Sequence, residues 1–187
     1  STGTTGFPEL LAFTRNDFEI GCIDSVARLN WTAGVRPSDV VQLALGVPCF
    51  LMANRAMGVR SIGEQAGRGN IDHRIILAKM MGATVLIHFP SLALQYFNRG
   101  RELGIDTRET DLRLLVGWGE GWANSYARKV EADYGVTFRS CFGLSTVGEI
   151  GSECGYGGIH FQSDRFIIEI IDPETKRALP PGEEGEL

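Results

Sequence analysis

With 187 residues, 43% of them hydrophobic and 22% charged, the chain has the composition of a soluble globular domain large enough to bury a real core, which excludes disorder as its default state. The formal charge of -5 and the scattered Lys and Arg leave no basic footprint for neutralising phosphates, so nucleic acid is not an expected partner. The longest apolar stretch, residues 40–52, is broken by Gln42, Gly46 and Pro48 and falls short of the about 20 residues that span a bilayer, so no membrane partner is expected either.

In chain order, a helical pattern runs over residues 16–33, with Asn16 or Asp17 as N-cap, apolar Cys22, Ile23, Val26 and Ala27 inside it, and Gly34 as stop. Residues 40–45 read as a buried strand. Ile71, Ile75, Ile76 and Met80 mark one helix face closed by Gly82, and residues 84–89 read as a strand leading through Pro90 into another helix. Residues 112–116 repeat the strand pattern, Asn124 caps a helix to Tyr134 ended by Gly135, and residues 136–141 are strand again. This alternation predicts an α/β fold: a mostly parallel sheet with flanking helices.

After Phe142 the texture changes, with glycines at 143, 148, 151, 155, 157 and 158, then an alternating strand pattern at residues 165–170 and a turn at 172–176. The expected organisation is an α/β part over about 1–142 and a loop- and β-rich hairpin part over about 143–187. Gly185-Glu186-Leu187 reads as the entry to a further strand, and both ends of the chain read as cut. The widely spaced cysteines Cys22, Cys49, Cys141 and Cys154 argue against a disulfide framework and for a reducing, cytoplasmic compartment.

Ser1-Thr2-Gly3-Thr4-Thr5-Gly6-Phe7-Pro8 has the composition of an anion cradle: glycines let backbone N–H groups converge and hydroxyls donate to phosphate oxygens. It lacks the Gly-Lys-Ser/Thr ending of a Walker A loop, and on composition alone a solvated linker remains the competing reading. The pairs Gly67-Arg68-Gly69 and Gly117-Trp118-Gly119 do not complete a dinucleotide-binding fingerprint.

Taken with the segments at 33–42, 89–94, 118–122, 142–145, 168–175 and 182–187, this opening resembles the adenylate-forming enzymes, in the phenylacetate-CoA ligase-like branch. The resemblance implies that the chain is part of a large N-terminal AMP-binding domain, with the mobile C-terminal domain and the ribose-binding aspartate lying outside it. On that reading the chain alone binds nucleotide poorly and catalyses little. The implied reaction is ATP-dependent activation of an aryl or acyl carboxylic acid to an acyl-adenylate, followed by thioester formation with coenzyme A. The alternatives are transfer to an amine or carrier protein, and a catalytically impaired nucleotide-binding relative. A homodimer is the candidate assembly.

By resemblance, Ser1, Thr2, Gly3, Thr4, Thr5 and Gly6 hold the β- and γ-phosphates of ATP, while Gly119, Glu120, Gly121, Phe142, Gly143 and Ser145 border adenine and the α-phosphate. Thr146 occupies the position of a glutamate that ligates Mg2+, and Glu9 that of a lysine. A threonine cannot supply the carboxylate charge, which leaves Glu149 or Glu153 as compensating ligands and a slow or inactive enzyme as the alternative. Leu45, Val47, Phe50, His88 and Phe89 are the implied acid pocket, apolar as an aryl or acyl tail requires, against a competing reading as ordinary core. Cys154 and His160 match a pair thought to bind zinc in some relatives, although a structural zinc site needs about four donors.

Overall fold

The structure, a computed structural model, describes residues 6–7, 10–63, 70–121, 123–144 and 146–187. A π-helical stretch, Asp17–Asp24, runs directly into helix α1, Ser25–Ala33. Thr14 fixes its entry: the hydroxyl donates to the Asp17 carboxylate at 2.7 Å and accepts the Asp17 N–H at 3.1 Å, while the Thr14 N–H reaches the same carboxylate at 3.0 Å. This reciprocal cap replaces the one expected from Asn16, which is helical and makes no side-chain capping bond. Gly34 ends α1 at φ 108°, a left-handed conformation that suits glycine.

The remaining elements are β1 (Val40–Leu43), α2 (Pro48–Ala56), β2 (Arg60–Ile62), α3 (Ile71–Met80), β3 (Val85–His88), α4 (Pro90–Glu102), β4 (Leu114–Gly117), α5 (Asn124–Tyr134), β5 (Thr137–Leu144), β6 (Gly148–Glu153) and β7 (Ile159–Phe161). They build a seven-stranded sheet in the order β2-β1-β3-β4-β5-β6-β7. Strands β1 to β5 pair in parallel, and β6 and β7 continue the sheet antiparallel. The expected α/β class, with a parallel sheet followed by a hairpin, is the architecture observed.

Strand alternation divides the core. Val41, Leu43, Val85, Ile87, Leu114 and Val116 pack beneath α1 and α2, whereas Leu86, Leu115 and Phe138 pack with Ile75, Tyr96, Phe97, Val130 and Tyr134 from α3, α4 and α5. Helices cover both faces, so the central strands are apolar at successive positions.

Several local expectations are corrected. Helix α2, for which the sequence offered no element, begins inside the apolar run of residues 40–52 and extends beyond it; Pro48 at its first turn starts it. Asn124 is the first residue of α5 rather than its cap, the cap position being Ala123. On α3, Ile75 is buried but Ile76 and Met80 are 41% and 76% exposed, so the apolar stripe is not one buried face. Residues 166–170 form no strand, and the segment joins its neighbours through bridges from Ile171 to Ala178 and Glu186. Arg28 ties this region to α1 through two bonds to Asp164, at 2.7 and 3.1 Å, and Arg165 reaches Asp24, Ser25 and the Ile20 carbonyl.

Candidate functional site

In an open parallel sheet, binding crevices form beyond the C-terminal ends of the strands, where the strand order reverses. Here the order reverses between β1 and β3. A cavity of about 380 Å3 opens there, with Leu45 and Val47 after β1, Phe50 on α2, Phe89 after β3, Gly119 after β4 and Gly143 at the end of β5 on its walls. Four of the five expected acid-pocket residues thus share one space with two of the residues nominated for the nucleotide. Phe50 and Trp118 meet edge to face, with ring centroids 5.0 Å apart, and stiffen the floor.

His88 is the exception. Alternation along β3 sends it to the face opposite Ile87, and it does not line the cavity. Its Nδ1 accepts the Phe89 N–H at 2.9 Å, which leaves any ring proton on Nε2. Burial, with Arg74 assisting, brings its pKa down to about 4, so the ring is neutral near pH 7.

Gly119 shows why the loop after β4 requires glycine. Its φ is +75°, and a Cβ there would lie 2.7 Å from Cε1 of Phe89. Beside it, Glu120 accepts the Ser91 N–H at 2.8 Å and the Ser91 hydroxyl at 2.7 Å, capping the start of α4. Tyr126 on α5 donates to the Pro90 carbonyl at 2.7 Å, fixing the same helix start from the other side. Glu120 is therefore engaged with α4, and Gly121 is exposed.

The other nucleotide nominees are dispersed. Phe142 lines a second cavity of about 360 Å3 with Leu144, Val147, Ile150 and Phe166, separate from the one holding Gly119 and Gly143. Thr146 is exposed on the turn between β5 and β6. Gly6 is exposed, whereas Ser1, Thr2, Gly3, Thr4, Thr5 and Ser145 lie outside the described residues, as does Glu9. Glu153, a candidate compensating ligand, accepts the Ser140 N–H at 3.0 Å. Glu149, the other, lines the apolar cavity rather than the turn at Thr146. Glu153 is thus committed to the backbone of β5, and Thr146 itself supplies no carboxylate for Mg2+.

Cys154 and His160 do meet, across the β6–β7 hairpin, with Sγ 3.0 Å from Nε2. Among the described residues no group of three or more His, Cys, Asp or Glu side chains is placed to hold a metal. Two donors do not fit a structural zinc, and the pair is an exposed hydrogen bond. All four cysteines are free. Burial pushes the Cys49 thiol up to about 12, with Glu149 and Cys22 adding to the shift, so Cys49 stays protonated near pH 7. Among the described residues no helix is long and apolar enough to cross a membrane.

Residue-type reasoning missed Trp118, Phe13, Phe18, Cys22 and Cys49 as cavity walls. Trp118 was available from register, since it directly follows a strand whose end faces the crevice.

The fold is the one seen in solved CoA ligases, the architecture of the N-terminal domain of the adenylate-forming enzymes. The structure superimposes on 2-hydroxyisobutyryl-CoA ligase, solved in complex with its acyl-adenylate and CoA, at a TM-score of 0.85 and 22% identity, over 97% of this chain and 45% of that one. In sequence the chain is phenylacetate-coenzyme A ligase-like along its whole length. It is 30% identical to the phenylacetate-coenzyme A ligase of Aromatoleum evansii and 28% identical to that of Thermus thermophilus, with all of this chain aligned in both cases. The chain spans 44% of the length of each of these relatives. No family model matches it.

Proposed function

We propose that this chain is the acid-recognising part of an AMP-forming acid–thiol ligase acting on an aryl or acyl carboxylic acid. The observation that carries the reading is the apolar crevice at the switch point, where Leu45, Val47, Phe50 and Phe89 stand on the same walls as Gly119 and Gly143. A carboxylate is a poor electrophile. When its oxygen attacks the α-phosphorus of ATP, pyrophosphate leaves and the acid becomes an acyl-adenylate; attack by a thiol then forms the thioester and releases AMP. The chain's contribution is to bury the acid's apolar body, exclude water around it, and hold Phe89 and the Gly119 turn so that the carboxylate faces the nucleotide. Coenzyme A is the acceptor we assign, supported by the ligase names of the relatives in sequence and structure.

Pyrophosphate release by the full-length protein, measured across a panel of aryl and alkyl carboxylic acids with ATP, tests this. Acid-dependent release followed by CoA-dependent AMP formation is expected. Thr146 supports a second reading, a nucleotide-binding relative without ligase activity, and ATP binding without release for any acid would establish it in place of the first.

A further inference from the structure

Glu149, near the start of β6, is an anomaly in the cavity. The cavity it lines is otherwise mostly apolar, with Phe13, Phe18, Phe50 and Phe89 on its walls, and the Cys22 and Cys49 thiols there lie close enough to respond to its charge. Its Oε2 is buried and has no hydrogen-bond partner among the described residues. The indole Nε1 of Trp118, another residue lining the cavity, is also buried and without a partner among the described residues. Buried polar atoms in folded proteins nearly always find partners, because an unmade bond in a low-dielectric interior costs the full desolvation of the group. Two such orphans around one ligand-sized apolar space, one of them an N–H donor, describe a polar subsite awaiting a group from outside the chain.

We propose that Glu149 is a specificity-determining residue, and that the cavity selects acids carrying a hydroxyl group on their apolar body. The inference rests on the ligase reading. A hydroxyl both accepts and donates, so this one functional group has the chemistry that the Trp118 N–H and the Glu149 carboxyl each lack. An ammonium group has no lone pair for Trp118. A second carboxylate would be desolvated without a cation among the apolar walls. Burial raises the Glu149 pKa, which favours the neutral carboxyl, a group that donates as well as accepts, as a hydroxyl does. Shape alone discriminates weakly between acids that differ by one oxygen, whereas a buried group left unpaired by the wrong ligand discriminates strongly.

The test uses the full-length protein and matched pairs of acids: phenylacetate against its 3- and 4-hydroxy derivatives, and an alkanoate against its terminally hydroxylated analogue. The readout is the ratio of kcat/KM for pyrophosphate release within each pair. In at least one pair the hydroxylated acid is expected to be favoured by about tenfold. Glu149→Met, close in shape and apolar, is expected to bring that ratio to one or below, and Glu149→Gln, which still donates and accepts, to preserve most of it. Equal kcat/KM within every pair of the wild type overturns the inference while leaving the ligase reading standing. A hydroxyl preference that survives Glu149→Met overturns the role of Glu149, as does a Glu149→Met variant whose Mg2+ requirement rises with the ratio unchanged. If no acid is turned over, the same pairs are titrated by Trp fluorescence: a hydroxyl preference lost in Glu149→Met sustains the subsite without the ligase reading, and its absence ends both.

Discussion

Asp39 and Glu149 are carboxylates towards opposite sides of one sheet, beside β1 and on β6. Asp39, just before β1, accepts from Arg113 at 2.6 and 3.2 Å, from the Thr84 hydroxyl at 2.7 Å and from the Arg36 N–H at 2.7 Å. Burial by itself would raise its pKa, yet these donors together hold it below the ordinary carboxylate value. Glu149, on β6, has an oxygen with no donor among the described residues, and burial carries its pKa the opposite way. A chain able to saturate one carboxylate leaves an oxygen of the other without a donor among the described residues. The contrast sets a carboxylate that holds the fold together against the one proposed to meet a ligand.

The strongest way to break the comparison is Asp39→Ala, which strips the partners from Thr84 and Arg36 and leaves Arg113, about half exposed, without its carboxylate. The expected loss is about 2–3 kcal/mol in urea denaturation at pH 7. Because the folded pKa is depressed, that stability is present above the ordinary value of 3.8 and vanishes as pH falls through the folded value. The gap between wild type and variant should therefore close in acid, and a gap that stays constant to pH 2 would show that the ion pair is not its source.

Next in size is Gly119→Ala. A left-handed φ and a clash with Phe89 should together lower stability by about 1–2 kcal/mol, and displacement of the Phe89 ring should weaken acid binding in the full-length protein. Ser91→Ala removes one of the two bonds to Glu120 and should cost about 1 kcal/mol in a thermal or chemical melt. Glu149→Met is the smallest and has the opposite sign: removing an orphan from apolar surroundings should change stability by no more than about 1 kcal/mol, towards greater stability at pH 7. A raised folded pKa means that wild type loses stability as pH rises from 4.5 through the folded value, so the variant's advantage should grow over that rise. A clear loss of stability at pH 7 would mean that Glu149 has a partner in the fold.

Much of the scaffold was legible in the residues. β1, β3 and β4 are buried on both faces and read as short apolar runs, and Gly34 and Gly135 stop their helices in left-handed conformations. Helix α2 was hidden because Val40 to Met52 is apolar in strand and helix alike, leaving only Pro48 as a signal. Phe166, Ile168 and Ile170 alternate as a strand should, but pairing depends on a partner edge, which local periodicity does not report. Of the residues the resemblance nominates for an acid pocket, Leu45, Val47, Phe50 and Phe89 line one cavity, while strand parity turns His88 to the other face, a one-residue matter. Glu149 was noticed only as a charge near Thr146. Its isolation is a property of the assembled cavity, made by residues as distant in sequence as Phe13 and Trp118.

The pair of bonds from Ser91 to Glu120 makes the turn after β4 and the first turn of α4 into a single body. Gly119 belongs to that turn and Phe89 leads into that helix, so neither can shift while the other stays put. In thermodynamic terms this is a rigid coupling between two neighbouring occupancies. On the proposed function, an acid pressing on Phe89 and a nucleotide resting against the Gly119 turn would alter each other's affinity by the same factor, whichever arrives first. Loosening the coupling, as Ser91→Ala does, should bring that factor towards one and leave two independent binding isotherms.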